Sequence, residues 1–170
     1  MSEDAADHIV PIAEEHIDGF RQALDSVARE RRYLAMLEAP APKEVRAFVL
    51  QNIKAGVPQV VAIEAREVVG WCDVLPKARA ALRHSGVLGL GVVAAHRGRG
   101  IGSRLLQAAL QAAWQSGLTR IELTVRVDNE RARRLYERFG FAIEGLCKRH
   151  MRIDGEYHDS YLMALLHGGE

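Results

Sequence analysis

Three glycines within five residues, Gly98, Gly100 and Gly102, stand in the stretch AAHRGRGIGSRLL, just ahead of a Leu- and Ala-rich run with helical spacing. Glycine costs a helix about 1 kcal/mol per residue relative to alanine, so a helix that begins this way has a reason for omitting side chains. Backbone N–H groups at a helix N-terminus attract anions, and the missing Cβ atoms let a phosphate come close to them. Arg97-Gly98-Arg99-Gly100-Ile101-Gly102, followed by Ser103, therefore reads as an anion cradle. A nucleotide P-loop would need GxxxxGK followed by Ser or Thr, and the chain has no such run. Gly89-Leu90-Gly91-Val92-Val93-Ala94 fits the letters of a dinucleotide fingerprint, but it lies inside a strand-like run instead of at a turn into a helix. A plain tight turn is the third reading, because turns use glycine freely.

A second stretch, DNERARRLYERFGF, carries polar residues at helical intervals. At about 100° per residue, Asn129, Ala132 and Tyr136 fall on one narrow face, with Tyr136 two turns beyond Asn129. Leu135 and Phe139 mark the core side, while Glu130 with Arg134 and Arg133 with Glu137 can pair at i,i+4 in solvent. Asn129 alone suits a helix cap, and Tyr136 alone suits a core position with one hydrogen-bond partner. Together, one strand downstream of the glycine loop, they suit a binding face.

The run from Arg97 to Gly102 matches Arg/Gln-x-x-Gly-x-Gly/Ala, and with the Asn129 and Tyr136 face it resembles the GNAT superfamily of N-acetyltransferases. The order of elements resembles that family coarsely from the first strand to the last hairpin. The resemblance implies acetyl-CoA as co-substrate, held by backbone groups of Leu90, Val92 and Ala94 on the preceding strand. The loop residues Arg97, Gly98, Arg99, Gly100, Ile101, Gly102 and Ser103 would hold it too, as would Asn129, Ala132 and Tyr136. It further implies that the strand before the loop splays from its parallel neighbour, leaving a backbone N–H at Leu90 or Gly91 to face the developing oxyanion. Tyr136 then stands beside the sulfur as general acid.

Acyl transfer from a thioester to an amine needs an anion cradle, a polarised carbonyl, a neutral amine and a protonated leaving thiol. A phenol with an ordinary pKa near 10 is protonated at pH 7 and can donate as a thiolate of conjugate pKa about 8.5 departs. Near Gly86, where some members of the family carry a catalytic Glu, there is no carboxylate. Glu122 is the candidate base, Asp73 and His84 are nearby options, and a water chain is preferred because Arg120 and Arg126 make the Glu122 face read as solvated. Acceptor contacts are expected from Tyr33, Trp71 and Asp73, in segments that surround the acetyl end of the fold in this family. Tyr33, Leu34, Met36 and Leu37 interrupt a charged run, as either a lid or a helix end packing on the sheet would.

The resemblance extends to small bacterial members acting on amino acids or other small amines, so the expected acceptor is the primary amine of such a molecule. Acetylation of a protein N-terminus or side chain, and a non-catalytic CoA-binding module, are the other readings. A homodimer is the family's common habit.

The elements that position these residues alternate between strand and helix patterns. HIVPIA reads as a strand and EHIDGFRQALDSVARE as a helix; Pro42 opens a second helix that Gly56 can end. PQVVAIEA and VVGWCDVLP form a hairpin about Arg66-Glu67, and GVLGLGVV runs into the glycine loop. A helix over residues 101–116, the strand TRIELTVRV and a helix capped by Asp128 or Asn129 follow, and the last two strands flank Asp154-Gly155. The expected fold is α+β: a mixed, mostly antiparallel sheet of about seven strands with a parallel splayed pair, flanked by about four helices. The chain is expected to form one domain over residues 1–170, with flexible ends at about 1–7 and 167–170.

With 23 Lys and Arg against 22 Asp and Glu, the net charge of +1 gives no field for nucleic acid or an anionic membrane. No apolar run approaches the roughly 20 residues of a membrane span. Cys72 and Cys147 lack the spacing of a zinc site, so reduced thiols, no metal and a cytoplasmic setting are expected.

Overall fold

A computed structural model describes residues 8–168. In chain order the elements are β1 (His8–Pro11), α1 (Ile17–Ala28), α2 (Pro42–Ala55), β2 (Gln59–Glu64), β3 (Glu67–Pro76) and β4 (Ser85–Val92). There follow α3 (Ile101–Gln115), β5 (Arg120–Arg126), α4 (Glu130–Arg138), β6 (Ala142–Ile153) and β7 (Glu156–Leu166). One sheet takes the strand order β1-β2-β3-β4-β5-β7-β6, antiparallel throughout except for the parallel pair β4 and β5. This is the expected mixed sheet with four helices around it.

The two faces of the sheet carry separate cores. Alternation along β3 sends Cys72 and Val74 to a face covered by α3, where Leu105, Leu106 and Ala109 are fully buried. Burying each such leucine contributes about 2 kcal/mol. Trp71 turns to the opposite face, which α1 and α2 cover with Phe20, Leu24, Val45 and Val49. Alternation on β5 follows the same rule: Ile121, Leu123 and Val125 join the α3 side, and Glu122, Thr124 and Arg126 turn to the other.

The glycine punctuation works as read where a left-handed backbone is required. Gly56 closes α2 at φ 66°, and Asp154-Gly155 turns the last hairpin at φ 52° and 84°. Two boundaries differ. The β2–β3 turn falls on Ala65 and Arg66, at φ 48° and 69°, one residue earlier than expected and without glycine. The expected first helix begins as a 3-10 turn over Glu14–His16 before α1. Residues 1–7 and 169–170, expected as flexible ends, lie outside the described residues, whereas His167 stacks on Trp114 with ring centroids 4.5 Å apart.

Candidate active site

β4 and β5 pair only through Ser85↔Arg120, Gly86↔Ile121 and Val87↔Glu122. Past that point β4 stays on β3 as far as Val92 and β5 stays on β7 as far as Arg126, so the parallel strands part company. A cleft of about 910 Å³ occupies the gap. Val93 N donates to Val69 O at 2.9 Å, so alternation turns the backbone groups of Leu88, Leu90 and Val92 away from β3 and toward the gap. Of the two amides considered for the oxyanion, that of Leu90 faces the gap and that of Gly91 faces β3. Leu90 and Val92 line the cleft; Ala94, in a 3-10 turn beyond the strand, does not.

The gap opens onto the N-terminus of α3. Gly98 and Gly100 both take φ 79°, a conformation that lets the chain fold back into the helix. The first bond of the helix is Arg104 N to Gly100 O at 3.2 Å, so the amides of Ile101, Gly102 and Ser103 have no intrahelical acceptor. A Cβ on Gly102 would meet only Leu135 Cδ2 at 3.6 Å and Val92 Cγ2 at 3.9 Å, ordinary contacts. Packing within the protein therefore does not require glycine at 102. Gly98, Gly100, Ile101, Gly102 and Ser103 line the cleft. Such a cradle fits the diphosphate of a CoA thioester.

The side chains of the loop arginines do other work. Arg97 lines the cleft but donates Nε to Val92 O at 2.9 Å and pairs with both oxygens of Glu30, at 2.8 and 2.5 Å. Its guanidinium also lies 4.7 Å from the centre of the Tyr33 ring. Arg97 thereby ties the cradle to residues 29–41, a connection of turns and bends in which Tyr33 and Leu34 pack on the α1–α2 core and line the cleft. Arg99 turns away from the cleft to Glu64, at 2.8 Å, where His96 also bonds.

On α4, Asn129, Ala132 and Tyr136 all line the cleft. Asn129 caps the helix, its Oδ1 accepting from Ala132 N at 3.2 Å, which leaves its amide N–H groups available. Glu130–Arg134 and Arg133–Glu137 pair outside at 2.6 and 2.7 Å, as their spacing implies. Tyr136 packs edge-on against Phe141 at 5.7 Å, and its hydroxyl has no hydrogen-bond partner among the described residues. Burial holds its phenol above the ordinary range, so the hydroxyl keeps its proton.

The structure does not bring Glu122 to the cleft. Its carboxylate bonds to Lys77 and to Arg120, which also reaches Glu144 at 2.6 Å, and the Lys77 hydrogen bond holds its pKa below the usual range. A carboxylate so clamped is a poor proton acceptor. Its face is solvated only in part: Thr124 is exposed, but Arg126 is 7% exposed and lines the cleft, donating Nε and Nη2 to Asp128 at 2.9 and 2.5 Å. Trp71 is core, its ring 5.9 Å from that of Phe20 and lying over Gly91, where an added Cβ would stand 2.2 Å from Cη2. Asp73, 8% exposed, sits against the cleft-lining Gly89, with Oδ1 3.1 Å from where a Cβ would be.

Sequence reasoning missed Arg131, whose Nη2 stands 3.3 Å from the Cβ position of Gly98, and the pair His150 and Met151. An irregularity in β6 between Cys147 and Met151 sets that pair in place; Arg149 there takes φ 52°, and His150 Nδ1 lies 3.0 Å from Ser160 Oγ. Neither bulge nor partner leaves a signal in one sequence. Arg131 follows Asn129 by two residues, and that spacing alone does not mark a shared helical face. Among the described residues, no group of three His, Cys, Asp or Glu side chains could hold a metal ion.

Comparison with known proteins finds the acetyltransferase (GNAT) family over residues 22–141. An L-amino acid N-acetyltransferase of Escherichia coli is 32% identical over 139 residues, 81% of this chain and 85% of the relative. An N-alpha-acetyltransferase of Mycobacterium tuberculosis is 43% identical over 74 residues, 44% of each chain. Among solved structures, a GNAT-family acetyltransferase from Streptococcus pneumoniae is 26% identical with a TM-score of 0.89, covering 95% of this chain and 100% of that one. An acetyltransferase from Salmonella typhimurium, solved with acetyl-CoA, shares the fold at a TM-score of 0.91 and 17% identity, over 97% of this chain and 96% of its own.

Proposed function

The chain belongs to the acetyltransferase (GNAT) family and is an acetyl-CoA-dependent N-acetyltransferase, and we propose that it acetylates the primary amine of a small molecule such as an amino acid. The observation that carries this reading is the gap between β4 and β5, opening at one end onto the bare N-terminus of α3 and bordered by Tyr136. The acyl donor supplies an activated thioester. The amides of Ile101, Gly102 and Ser103 hold its diphosphate, with Arg131 above the loop, and the gap-facing groups of Leu90 and Val92 hold its arm. The Leu90 amide donates to the thioester carbonyl oxygen as charge gathers there. As the C–N bond forms and the C–S bond breaks, the Tyr136 hydroxyl protonates the sulfur. The amine's surplus proton passes to water, and the phenolate recovers its proton from the same source.

Similarity to the amino acid acetyltransferase runs along four-fifths of the chain, which supports a small acceptor. Similarity to the N-alpha-acetyltransferase covers under half of it. The same reading has one catalytic domain in a cytoplasmic setting, which suits the free thiols Cys72 and Cys147. It also has a homodimer, supported by exposed Ile143 and Leu146 on the edge strand β6 and tested by sedimentation. The decisive assay follows CoA release from acetyl-CoA with a panel of amino acids, small amines and peptides, the acetylated product being identified by mass. Turnover of peptides alone would replace the small-molecule acceptor with a protein N-terminus.

A further inference from the structure

We propose that the α1–α2 side of the β4–β5 gap is a two-ended site for a free α-amino acid, with Asp73 receiving the amino group and Arg126 the α-carboxylate. This inference rests on the acetyltransferase reading and specifies its acceptor. The register puts the two groups on one face. Asp73 pairs with Gly89 across β3 and β4, and a Cβ on Gly89 would point at Asp73 Oδ1. Arg126 shares the Thr124 side of β5, opposite to Leu123 and Val125, and it lines the cleft together with Gly89 and Gly91. Glycine at 89 leaves the Asp73 carboxyl without a β4 side chain over it, while the Trp71 ring fills the space over Gly91. Arg126 thus lines the gap from the β5 side, and Asp73 stands directly behind the cleft-lining Gly89 on the β4 side.

Each group lacks something that the opposite end of a zwitterion supplies. Asp73 is 8% exposed and has no hydrogen bond or ion pair among the described residues, a costly state for a carboxyl group. Burial pushes it up to about 7, and an ammonium beside it would reverse that shift. Arg126 is 7% exposed, and Nε and Nη2 are taken by Asp128 while Nη1 has no partner among the described residues. Arg32, which also lines the cleft, acts on Asp128 as a second cation, so two guanidinium groups face one carboxylate there. The uncompensated positive charge fits a ligand carboxylate, and Arg suits bidentate recognition of one.

The experiment takes the L-amino acid turned over fastest among the twenty and compares it with its α-amide and with the amine left by removing its carboxylate. The native enzyme should favour the free amino acid by about 30-fold or more in kcat/KM, the usual scale for a buried charge-assisted contact. Arg126→Gln should bring that ratio close to one, and Arg126→Lys should recover part of it. Asp73→Asn should raise KM for all three amines while the thermal shift given by acetyl-CoA is retained. A native ratio near one, a peptide preferred to every free amino acid, or an unchanged ratio in folded Arg126→Gln would each overturn the two-ended site. Acetylation of none of the amines would overturn the acetyltransferase reading itself, a result distinct from equal acetylation of all three.

Discussion

A tyrosine on a cleft wall can be packing, a proton donor or both, and Tyr136 has the features of each. Its ring meets Phe141, whereas its hydroxyl is unpartnered and its phenol is held protonated by burial. Removing the hydroxyl alone separates the roles. Tyr136→Phe should keep the fold and acetyl-CoA affinity while kcat falls by roughly 10²–10⁴, the span of general acid–base contributions. Steady-state kinetics with isothermal titration reads both quantities, and an unchanged kcat would leave Tyr136 a packing residue. The contrast with Glu122 is instructive, because both are polar side chains on elements next to the gap. One faces the cleft, and the other is spent on Lys77 and Arg120.

The unit that makes the cradle is an element boundary: a strand end, two left-handed glycines and the first turn of α3. Gly100 at φ 79° needs glycine for its backbone, so a bulky residue there would strain the loop whatever binds. Gly102 has no such requirement, and its Cβ position makes only ordinary contacts. Gly102→Val should therefore leave the far-UV spectrum native yet abolish most of the rise in Tm with acetyl-CoA. That rise corresponds to about 2.7 kcal/mol at a hundredfold excess over Kd. An undiminished shift would move the diphosphate elsewhere. These boundaries were readable from the sequence because glycine at a positive φ and apolar spacing at 3.6 residues are local properties. The face of a strand that another element covers is not local. Alternation placed Arg126 beside Glu122 and away from Leu123, but nothing in TRIELTVRV tells whether that face meets water or the segment after α1. The β6 irregularity that carries His150 and the glycine-free turn at Ala65 and Arg66 were hidden for the same reason.

At the scale of the whole molecule, the carboxylates with shifted values among the described residues fall into two classes with opposite dependence on pH. Asp25, Glu64, Glu122, Asp128, Glu144 and Asp154 are all held below the ordinary carboxylate range, chiefly by hydrogen bonds from arginine, lysine or a backbone amide. Their stabilisation is present above about pH 4 and is lost as the pH falls through their lowered values. Asp73 runs the other way. Its folded value of about 7 lies above its unfolded value, so between about pH 4 and 7 the native chain keeps a proton that the unfolded chain has released. Stability must then decline as pH rises through that window and level off above it, by about 4 kcal/mol at most. The two classes together place the maximum near pH 5, on the acid side of neutrality. Urea unfolding should give a lower midpoint at pH 8 than at pH 5.5, and Asp73→Asn, which cannot ionise, should remove most of that difference and raise the midpoint at pH 8. Equal slopes for the native chain and the variant would mean that Asp73 ionises in the folded protein much as it does in the unfolded one. That outcome would require a cation or solvent at its carboxylate, in place of its burial beside Gly89 and Gln59.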